Sequence, residues 1–476
     1  MPGIGIARYG THVPYWRLQR QTINAALGST PAKGGRAVTA FDEDTTTMAV
    51  EAGRAALAGY STPGPIGGLL FATAHPVYAD KTNATAIHAA LGLPAEAHVA
   101  DMTGSVRSGV AALLAGLYRP DPTLVTLSDA RTGAAGGVDE STGGDAAAAF
   151  VLSSADHGPL LAEFLGSASA TAEFLDRWRA PGESSASSWE ERFGEEIYAG
   201  LGTRSFEQAL KSAGLAAGEV NRMAVAGLAP RATRAFLKGS GVAPDAVVDD
   251  LTSSIGNSGT AHMGVLLAAM LDRAAPGEVL AVTVLSDGAE TLLFRTTEHV
   301  LDSRQAVSVD TQIASGNDAL SYADFLIWKG QLRRQQPRRP EPDRAAAPAT
   351  HRLVDWKFGF TGSRCTECGT RHLPPQRVCL RCGATNHMET ERLADTPATI
   401  VTYTVDHLAF SLAPPVVAAV IDFDGGGRFS CELTDVDADT IAVGQRVVMT
   451  FRRLSSADGV HNYFWKARPI SEGQTR

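Results

Sequence analysis

Short apolar runs alternate with alanine-rich stretches over roughly the first 300 residues of the chain. Five runs have the pattern of buried strands: GGLLFATA, PTLVTLSD, AAAAFVLSS, RMAVAGLA and EVLAVTVLSD. Helical stretches lie between them: TTTMAVEAGRAALAG, TNATAIHAALG, SGVAALLAGLY and GTAHMGVLLAAMLDRA. This alternation predicts an α/β domain, and the small side chains of the helices predict close packing between two sheets.

A second pattern begins near residue 391, where apolar and polar residues alternate as they do in half-buried strands. The segments are TPATIVTYTVDH, PPVVAAVIDFDGGGRFSCELTDV, GQRVVMTFRRL and NYFWKARP, and glycine-rich turns separate them. The pattern predicts a small β-barrel of the OB type.

Two polar segments interrupt these patterns. ATAEFLDRWRAPGESSASSWEERFGEEIYAG is either a lid or substrate-facing insertion, which we favour, or an elaborated surface. GQLRRQQPRRPEPDRAAAPAT is rich in Arg, Pro and Ala and predicts a semi-rigid linker. Its basic cluster leaves open a role in binding an acidic partner.

Four of the five cysteines form two CxxC pairs, each followed by glycine: Cys365 and Cys368, then Cys379 and Cys382. Such pairs form tight turns that direct four thiolates at one tetrahedral ion. Disulfides are the alternative, but nothing in the composition indicates an oxidising compartment. We predict a structural Zn²⁺ site, because four thiolates leave no open position for catalysis. The fifth cysteine, Cys431, is expected to be a buried apolar residue.

Composition narrows the function classes. The chain has 476 residues, of which 44% are hydrophobic and 20% charged, and it carries a net charge of −9. The length predicts two or three domains, and the negative charge argues against nucleic-acid binding. No apolar run is long enough to span a bilayer, and the first residues do not have the pattern of a signal peptide, so a cytoplasmic protein is expected.

The N-terminal 300 or so residues resemble the thiolase superfamily, most closely the hydroxymethylglutaryl-CoA synthases of archaeal type. The segments that carry the likeness are GIGIARYGTHVPYWRL, AFDEDTTTMAVEAGRAAL, ERF and SSIGNSGTAHMGVLLAAMLDRAAPGEVL. The C-terminal part resembles the zinc-ribbon and OB-fold proteins that accompany archaeal thiolases, through SYADFLIWKG, RCTECG and LPPQRVCLRCG. In that family the module is a partner of a thiolase-like enzyme and helps to shape its acyl-CoA site.

The resemblance implies a thiolase-like αβαβα domain of five layers, followed by a zinc ribbon and an OB barrel. We predict the thiolase-like domain over residues 1–310, a helix and linker over 311–350, the ribbon over 351–390 and the barrel over 391–476. Thiolase-fold proteins are usually dimers, so a homodimer is expected.

The residues of the family's covalent chemistry are missing at the matching positions. Val106 stands at the place of the nucleophilic cysteine, Ala74 at that of the acid/base glutamate, and Leu228 at that of the histidine. Only the asparagine of the GN turn is kept, as Asn257. A condensation through a cysteine acyl-enzyme is therefore not expected.

Other polar residues lie close to these positions. His75 directly follows Ala74, Tyr78 comes three residues later, and Asp287 lies in an SDGAE turn after the last apolar strand. A histidine next to such groups is able to move a proton beside a thioester, although ordinary polar packing explains each residue singly. Ser105, next to Val106, is a candidate nucleophile, or else a helix cap together with Ser108.

Some thiolase-like proteins that pair with such partners lack the cysteine machinery and cleave β-hydroxyacyl-CoA by retro-aldol chemistry, and this chain is similar to them. We therefore expect C–C bond formation or cleavage on an acyl thioester of coenzyme A or a carrier protein. Two alternatives stay open, an acyltransferase that uses Ser105 and a non-catalytic binding scaffold. The resemblance assigns the CoA phosphates to Arg231, Arg234 and Lys238, and no sequence motif indicates a nicotinamide cofactor or ATP.

Overall fold

The computed structural model of the protein describes residues 3–29, 32–60, 64–335 and 342–470. The chain divides into two compact units, each assembled from separate stretches of sequence. The first unit consists of Met1–Thr39, Glu51–Thr85 and Pro94–Tyr322, and the second of Ala40–Val50, Ala86–Leu93 and Ala323–Arg476. Residues 336–341 of the predicted linker lie outside the described residues.

Strands and helices alternate through the N-terminal part of the chain. Its strands are β1 Ile4–His12, β2 Trp16–Gln19, β3 Gly35–Val38, β4 Gly68–Thr73, β5 His98–Thr103, β6 Thr123–Ala130, β7 Asp145–Ser154, β8 Ala162–Ala170, β9 Arg177–Trp178, β10 Ser187–Ser188, β11 Arg222–Gly227, β12 Val279–Leu285 and β13 Ala289–Thr296. Its helices are α1 Arg20–Leu27, α2 Thr45–Leu57, α3 Ala84–Leu91, α4 Ser108–Leu117, α5 Val138–Thr142, α6 Glu191–Ala213, α7 Pro230–Gly239, α8 His262–Arg273, α9 Val309–Ala314 and α10 Tyr322–Trp328.

Nine of these strands form one mixed sheet in the order β11-β12-β13-β8-β1-β7-β6-β4-β5. β4 runs parallel to both β5 and β6, whereas β1 and β7 are antiparallel. The pairing of β1 with β8 joins the two halves of the sheet. Because β4 and β6 are parallel neighbours, their carboxyl ends meet at the same edge.

Helices α4 and α8 fill the core of the first unit. Ten consecutive residues of α8, from His262 to Leu271, are buried, and α4 contacts β4, β6 and β7. Small residues permit this close packing: a Cβ atom on Gly109 would lie 2.7 Å from the Thr260 carbonyl oxygen, and one on Gly264 would lie 2.7 Å from Leu127. The helix pattern of the sequence therefore predicted the buried helices correctly.

The second unit contains the cysteine pairs and a closed barrel. After α11 Ala347–Arg352 and α12 Val354–Lys357, three strands form a sheet in the order β15-β14-β16: β14 Thr361–Cys365, β15 Arg371–His372 and β16 Met388–Arg392. The barrel has the order β17-β18-β19-β21-β20: β17 Ala398–Asp406, β18 Val416–Phe423, β19 Arg428–Leu433, β20 Arg446–Ala457 and β21 Val460–Pro469. Trp465 on β21 packs against Phe451 of β20 and Phe360, and all three rings are buried.

The five predicted strands correspond to β4, β6, β7, β11 and β12, and the four predicted helices to α2, α3, α4 and α8. The predicted fold class, a thiolase-like α/β domain followed by a zinc ribbon and an OB-type barrel, is confirmed. The domain boundaries stay a prediction, because each unit draws on stretches that are far apart in sequence. Over the described part of the chain we find no helix with the length and apolarity that crossing a membrane requires.

Candidate functional site

The strongest constellation in the first unit joins the ends of β4 and β6. His75 Nδ1 lies 3.2 Å from Oδ1 of Asp129, and the His75 side chain is 21% exposed. Asp129 is completely buried near the end of β6. If Nδ1 donates its proton to this carboxylate, Nε2 is left with a lone pair that accepts a proton.

Asp129 also accepts hydrogen bonds from the backbone around it. Its Oδ1 accepts from the Ala74 N–H and the Thr73 hydroxyl, both at 2.9 Å, and its Oδ2 accepts from the Thr260 N–H at 2.7 Å. Burial alone would raise the pKa of Asp129, but His75 and Thr260 outweigh it and lower the pKa below the usual range. The carboxylate is therefore ionised, and it fixes the chain directly before His75.

Asn257 lies in the turn that precedes α8. The N–H group of Thr260 connects the same turn to Asp129. Its Nδ2 donates to the Gly227 carbonyl oxygen at 2.8 Å, and its Oδ1 accepts from the Gly259 N–H at 2.9 Å. The side-chain amide has a second N–H, because an amide nitrogen carries two donors. The structure thus places Asn257 and His75 around the same buried carboxylate network.

Val106 is buried in the hydrophobic core, so the position of the family's nucleophile offers no reactive group. Ser105 precedes it in the loop before α4, and the Ser105 N–H is 3.4 Å from the hydroxyl of Ser108. Within the described residues, no histidine or carboxylate forms a hydrogen bond with Ser105 Oγ. A serine hydroxyl needs an adjacent base to act as a nucleophile.

Asp287 does not join the His75 network. It is exposed, has a positive φ of 49° and accepts a hydrogen bond from Ser286. Arg107 connects this loop to the start of α4, because it donates to the Asp287 carbonyl oxygen at 2.7 Å and to the buried Glu290 carboxylate at 3.1 Å. Tyr78 lies in the loop after β4, where Asn83 bonds to its backbone N–H and carbonyl groups.

The polar insertion contacts the chain beside His75. Arg179 donates to the Ala74 carbonyl oxygen at 2.7 Å, and Thr132 donates to the Ser184 carbonyl oxygen at 3.1 Å. Arg177 binds Asp139 through two nitrogens. These contacts are consistent with the substrate-facing position that we favour for the insertion.

The three predicted CoA ligands share one exposed face of α7. Arg231, Arg234 and Lys238 follow one another at three- and four-residue spacing, and all are exposed. The opposite face buries Ala232 and Phe236. The helix therefore presents three cationic side chains side by side, a suitable surface for phosphates.

The four cysteines of the CxxC pairs converge in the second unit, with their sulfur atoms all within 4.8 Å of one another. Cys365 and Cys382 are 3.7 Å apart at Sγ, and Cys368 and Cys379 are 3.5 Å apart. A tetrahedral ion with bonds of about 2.3 Å requires sulfur atoms about 3.8 Å apart, whereas a disulfide requires about 2 Å. The cluster therefore fits a metal and not a disulfide pair.

The glycines after each CxxC pair adopt a left-handed backbone conformation. Gly369 and Gly383 have φ angles of 72° and 75°, in the left-handed region that favours glycine. Their N–H groups donate to the carbonyl oxygens of Cys365 and Cys379 at 2.8 and 2.9 Å, which closes each turn. Cys431 is half-buried on β19, and burial raises the pKa of its thiol to about 12.

Two functional candidates were missed in the sequence, Asp129 and Arg107. Asp129 is the charged residue near the end of the otherwise apolar PTLVTLSD run. Because carboxyl ends of parallel strands meet, pairing this run with GGLLFATA would have placed Asp129 beside His75. Arg107 gives no comparable signal, since its partner Glu290 is 183 residues away.

Comparison with known proteins defines the class of the C-terminal part. Residues 359–387 match the family described as "ChsH2, rubredoxin-like zinc ribbon domain", and residues 391–452 match "ChsH2, C-terminal OB-fold domain". A "DUF35 domain-containing scaffold protein" of Methanocaldococcus jannaschii is 30% identical over 124 residues, which are 25% of this chain and 87% of the relative.

The N-terminal part has relatives of another kind. A "Hydroxymethylglutaryl-CoA synthase" of Methanocella arvoryzae is 28% identical over 347 residues, which are 69% of this chain and 98% of the relative. The solved structure "MvaS in complex with 3-hydroxy-3-methylglutaryl coenzyme A" has a TM-score of 0.60 at 20% identity and covers 73% of this chain and 96% of its own.

The chain thus combines a hydroxymethylglutaryl-CoA synthase-like region of thiolase fold with a zinc ribbon and an OB-fold domain. Through its C-terminal part it belongs to the DUF35 domain family. The predicted resemblance is confirmed on both counts.

Proposed function

We propose that this protein makes or breaks a carbon–carbon bond next to an acyl thioester, without a cysteine acyl-enzyme. The observation that carries the proposal is the His75–Asp129 pair, which supplies a base where the family's glutamate, histidine and cysteine are all replaced. A base suffices for aldol chemistry, whereas acyl transfer through an enzyme intermediate requires a nucleophile.

The cleavage direction balances as follows. Nε2 of His75 accepts the proton of the substrate's 3-hydroxyl group, and the C2–C3 bond breaks as the C3–O bond becomes a carbonyl group. The electron pair moves to C2 and gives the thioester enolate, which the imidazolium then protonates at C2. The products are an aldehyde or ketone and a shortened acyl thioester, and the same steps in reverse form the bond.

Each polar residue has a role in this scheme. Asp129 is a positioning residue that holds the His75 ring, since it bonds to Nδ1 and to the Ala74 N–H, while the His75 N–H donates to the Thr73 hydroxyl. The second N–H of Asn257 Nδ2 stabilises the enolate oxygen. Tyr78 or Asp287 is the alternative group for handling the proton, although no contact in the described part of the chain joins Asp287 to His75.

The thioester binds through its nucleotide on the α7 face that carries Arg231, Arg234 and Lys238. The protein is a homodimer, and the cysteine cluster holds one Zn²⁺ ion. All four ligands come from the protein, so the ion would stabilise the ribbon and take no part in the reaction.

A non-catalytic scaffold is the second candidate function. It is favoured by the likeness of the C-terminal part to a DUF35 domain-containing scaffold protein. In that case the first unit binds an acyl thioester of CoA or of a carrier protein and holds it for another enzyme. Acyl transfer through Ser105 is a further alternative, which is disfavoured because no base among the described residues bonds to Ser105 Oγ.

One experiment separates the three. The purified protein is incubated with β-hydroxyacyl-CoA and acyl-CoA panels, while small products and the intact protein mass are followed. Cleavage of a β-hydroxyacyl-CoA with no protein adduct, and its loss in His75→Ala with zinc content unchanged, supports the proposal. A mass gain that maps to Ser105 supports the transferase, and binding without turnover supports the scaffold.

A further inference from the structure

An acidic turn from the N-terminal part of the sequence belongs to the second unit. Residues Asp42, Glu43 and Asp44 lie in Ala40–Val50, which folds with the stretch that contains the barrel. Their side chains are almost completely buried, with exposed fractions of 0%, 4% and 7%. Buried carboxylates are unfavourable unless cations and hydrogen bonds compensate them.

Cations from β20 and β21 compensate these carboxylates. Arg452 is 2.6 Å from Glu43 and 3.6 Å from Asp42, and Lys466 is 2.9 Å from Asp42. Both cations are themselves buried. Their proximity lowers the pKa of Asp42, although burial alone would raise it. The charges of the turn and of the barrel strands are therefore complementary inside one buried cluster.

Hydrogen bonds fix the same turn in one orientation. Tyr463 donates to Asp44 at 2.8 Å, Thr434 donates to Asp42 at 3.0 Å, and the side chain of Arg453 donates to the Phe41 carbonyl oxygen at 2.8 Å. Asp44 in turn accepts from the N–H groups of Thr46 and Thr47, as an N-cap of α2 does. Lys466 also lies 5.0 Å from the centre of the Phe41 ring.

These contacts join segments that are far apart in sequence. The partners in these hydrogen bonds are 392 to 419 residues apart in sequence. One short turn supplies three of the carboxylates, and the cations that meet it come from two neighbouring strands. The same cations also pair within the barrel, Arg452 with Asp435 at 2.5 Å and Lys466 with Glu432 at 2.8 Å. A recognition site has this form, with one charged segment on one side and a matched pocket of opposite charge on the other.

We infer that the barrel carries a recognition site for an acidic Asp-Glu-Asp turn, and that this turn is the feature by which it identifies a thiolase-like partner. The turn and the barrel are held together by buried charge. This recognition requires no catalytic activity of either unit.

The test uses the full chain with a protease recognition sequence in place of residues 336–341. After cleavage, the dissociation constant of the two fragments is measured by dilution in size-exclusion chromatography. We expect the fragments to stay together at micromolar concentration and in 1 M salt, because salt screens buried ion pairs only weakly. Separation of the wild-type fragments at micromolar concentration would overturn the inference.

Single substitutions then test which residues the association of the fragments depends on. Arg452→Met removes the cation that lies 2.6 Å from the buried Glu43 carboxylate and should weaken association by about 100-fold or more. In Glu43→Gln the buried Arg452 keeps Asp435 at 2.5 Å, so association should weaken by about 10-fold. Tyr463→Phe removes only one hydroxyl group and should weaken it by about 10-fold. The matched control is Arg428→Met, which removes an arginine from an exposed ion pair on the same barrel and should change the constant by less than about 3-fold.

Misfolding is distinguished from lost recognition in two ways. Glu43 lies on the fragment without the barrel, so Glu43→Gln leaves the barrel sequence intact, and the zinc content of the other fragment reports its folding. If Glu43→Gln, Arg452→Met and Arg428→Met all associate as tightly as the wild type, the acidic turn is not the recognised feature.

Discussion

The Nδ1 atom of His75 lies 3.2 Å from Oδ1 of Asp129, whose side chain has no contact with solvent. The same carboxylate binds the backbone of Ala74 and Thr260, so it connects the end of β4 to the turn that contains Asn257. The proposed proton-transfer group is thereby held by a buried charge, which would orient the ring before substrate arrives.

Asp129→Asn tests this orientation. The amide keeps the size of the side chain but cannot fix the tautomer with Nδ1 protonated, so kcat should fall by about 100-fold with little change in KM. Steady-state kinetics with the β-hydroxyacyl thioester that the protein cleaves in the panel measures kcat and KM. Asp310→Asn, which alters an exposed carboxylate paired with Arg273, should leave both constants unchanged. Equal kcat values in Asp129→Asn and wild type would exclude Asp129 from positioning His75.

Arg107→Met should destabilise the first unit. Glu290 is buried and would lose its ionic partner, although the hydroxyl of Ser169 still donates to it at 2.6 Å. Because Arg107 is 22% exposed, the expected loss in free energy of unfolding is about 2 kcal/mol, less than for a fully buried pair. Denaturant unfolding measures it, and the double variant Arg107→Met/Glu290→Gln should recover part of the loss. The exposed pair of Arg273 and Asp310 supplies the control, since Arg273→Met should cost no more than about 0.5 kcal/mol.

Asp139 should contribute to stability in a pH-dependent way. Burial alone would raise its pKa, but Arg177 and Arg131 lower it below the usual carboxyl value. A folded-state pKa below the unfolded one means that the contribution is complete above about pH 4, the ordinary carboxyl pKa, and declines as the pH falls through the lowered value. Thermal unfolding measured from pH 7 to pH 2 should therefore show a smaller acid loss in Asp139→Asn than in wild type. A parallel decline in the two proteins would contradict the role of this carboxylate.

Removal of a ribbon cysteine should abolish metal binding. The purified chain is expected to contain one zinc ion, and Cys368→Ser should contain less than a tenth as much, because a closed four-thiolate site needs all its ligands. Elemental analysis with a chromogenic chelator gives the content. Cys431→Ser is the matched control and should retain one ion, since Cys431 lies on β19 outside the cluster. A metal-free wild-type protein with intact free thiols would refute the site.

The basic face of α7 should affect substrate affinity selectively. Arg234→Glu and Lys238→Glu each place a negative charge beside the proposed phosphate site, so KM for a CoA thioester should rise about 10-fold and depend on salt. The corresponding pantetheine thioester lacks the nucleotide and serves as the control substrate, for which KM should stay within about 2-fold. Equal effects on both substrates would indicate a structural defect and not a lost phosphate contact.

Local sequence patterns were sufficient to predict the strands, the helices and the four-cysteine cluster. The CxxC pairs with their glycines are close in sequence, so spacing alone predicted the converging sulfur atoms. The same holds for β4, β6 and α8, whose apolar periodicity is uninterrupted. His75 was likewise visible, because it directly follows a buried strand.

Local sequence could not predict which side chains pair when long stretches of chain separate them. Glu290 lies 183 residues from Arg107, and Asp44 lies 419 residues from Tyr463. Nothing in the local sequence of FDEDTTT distinguishes an exposed acidic turn from one that is buried against cations. Such pairings depend on how the elements assemble, which periodicity does not encode.

All five cysteines lie at or after residue 365, and the first unit therefore contains no sulfur nucleophile. Peroxides and alkylating agents inactivate enzymes that depend on a thiolate, but they would find no such target at His75 and Asp129. Four of the five thiols belong instead to the ribbon, and the fifth, Cys431, lies in the barrel. Oxidation of the ribbon thiols would remove the ligands of the proposed zinc site, while the groups proposed for the reaction stay chemically intact.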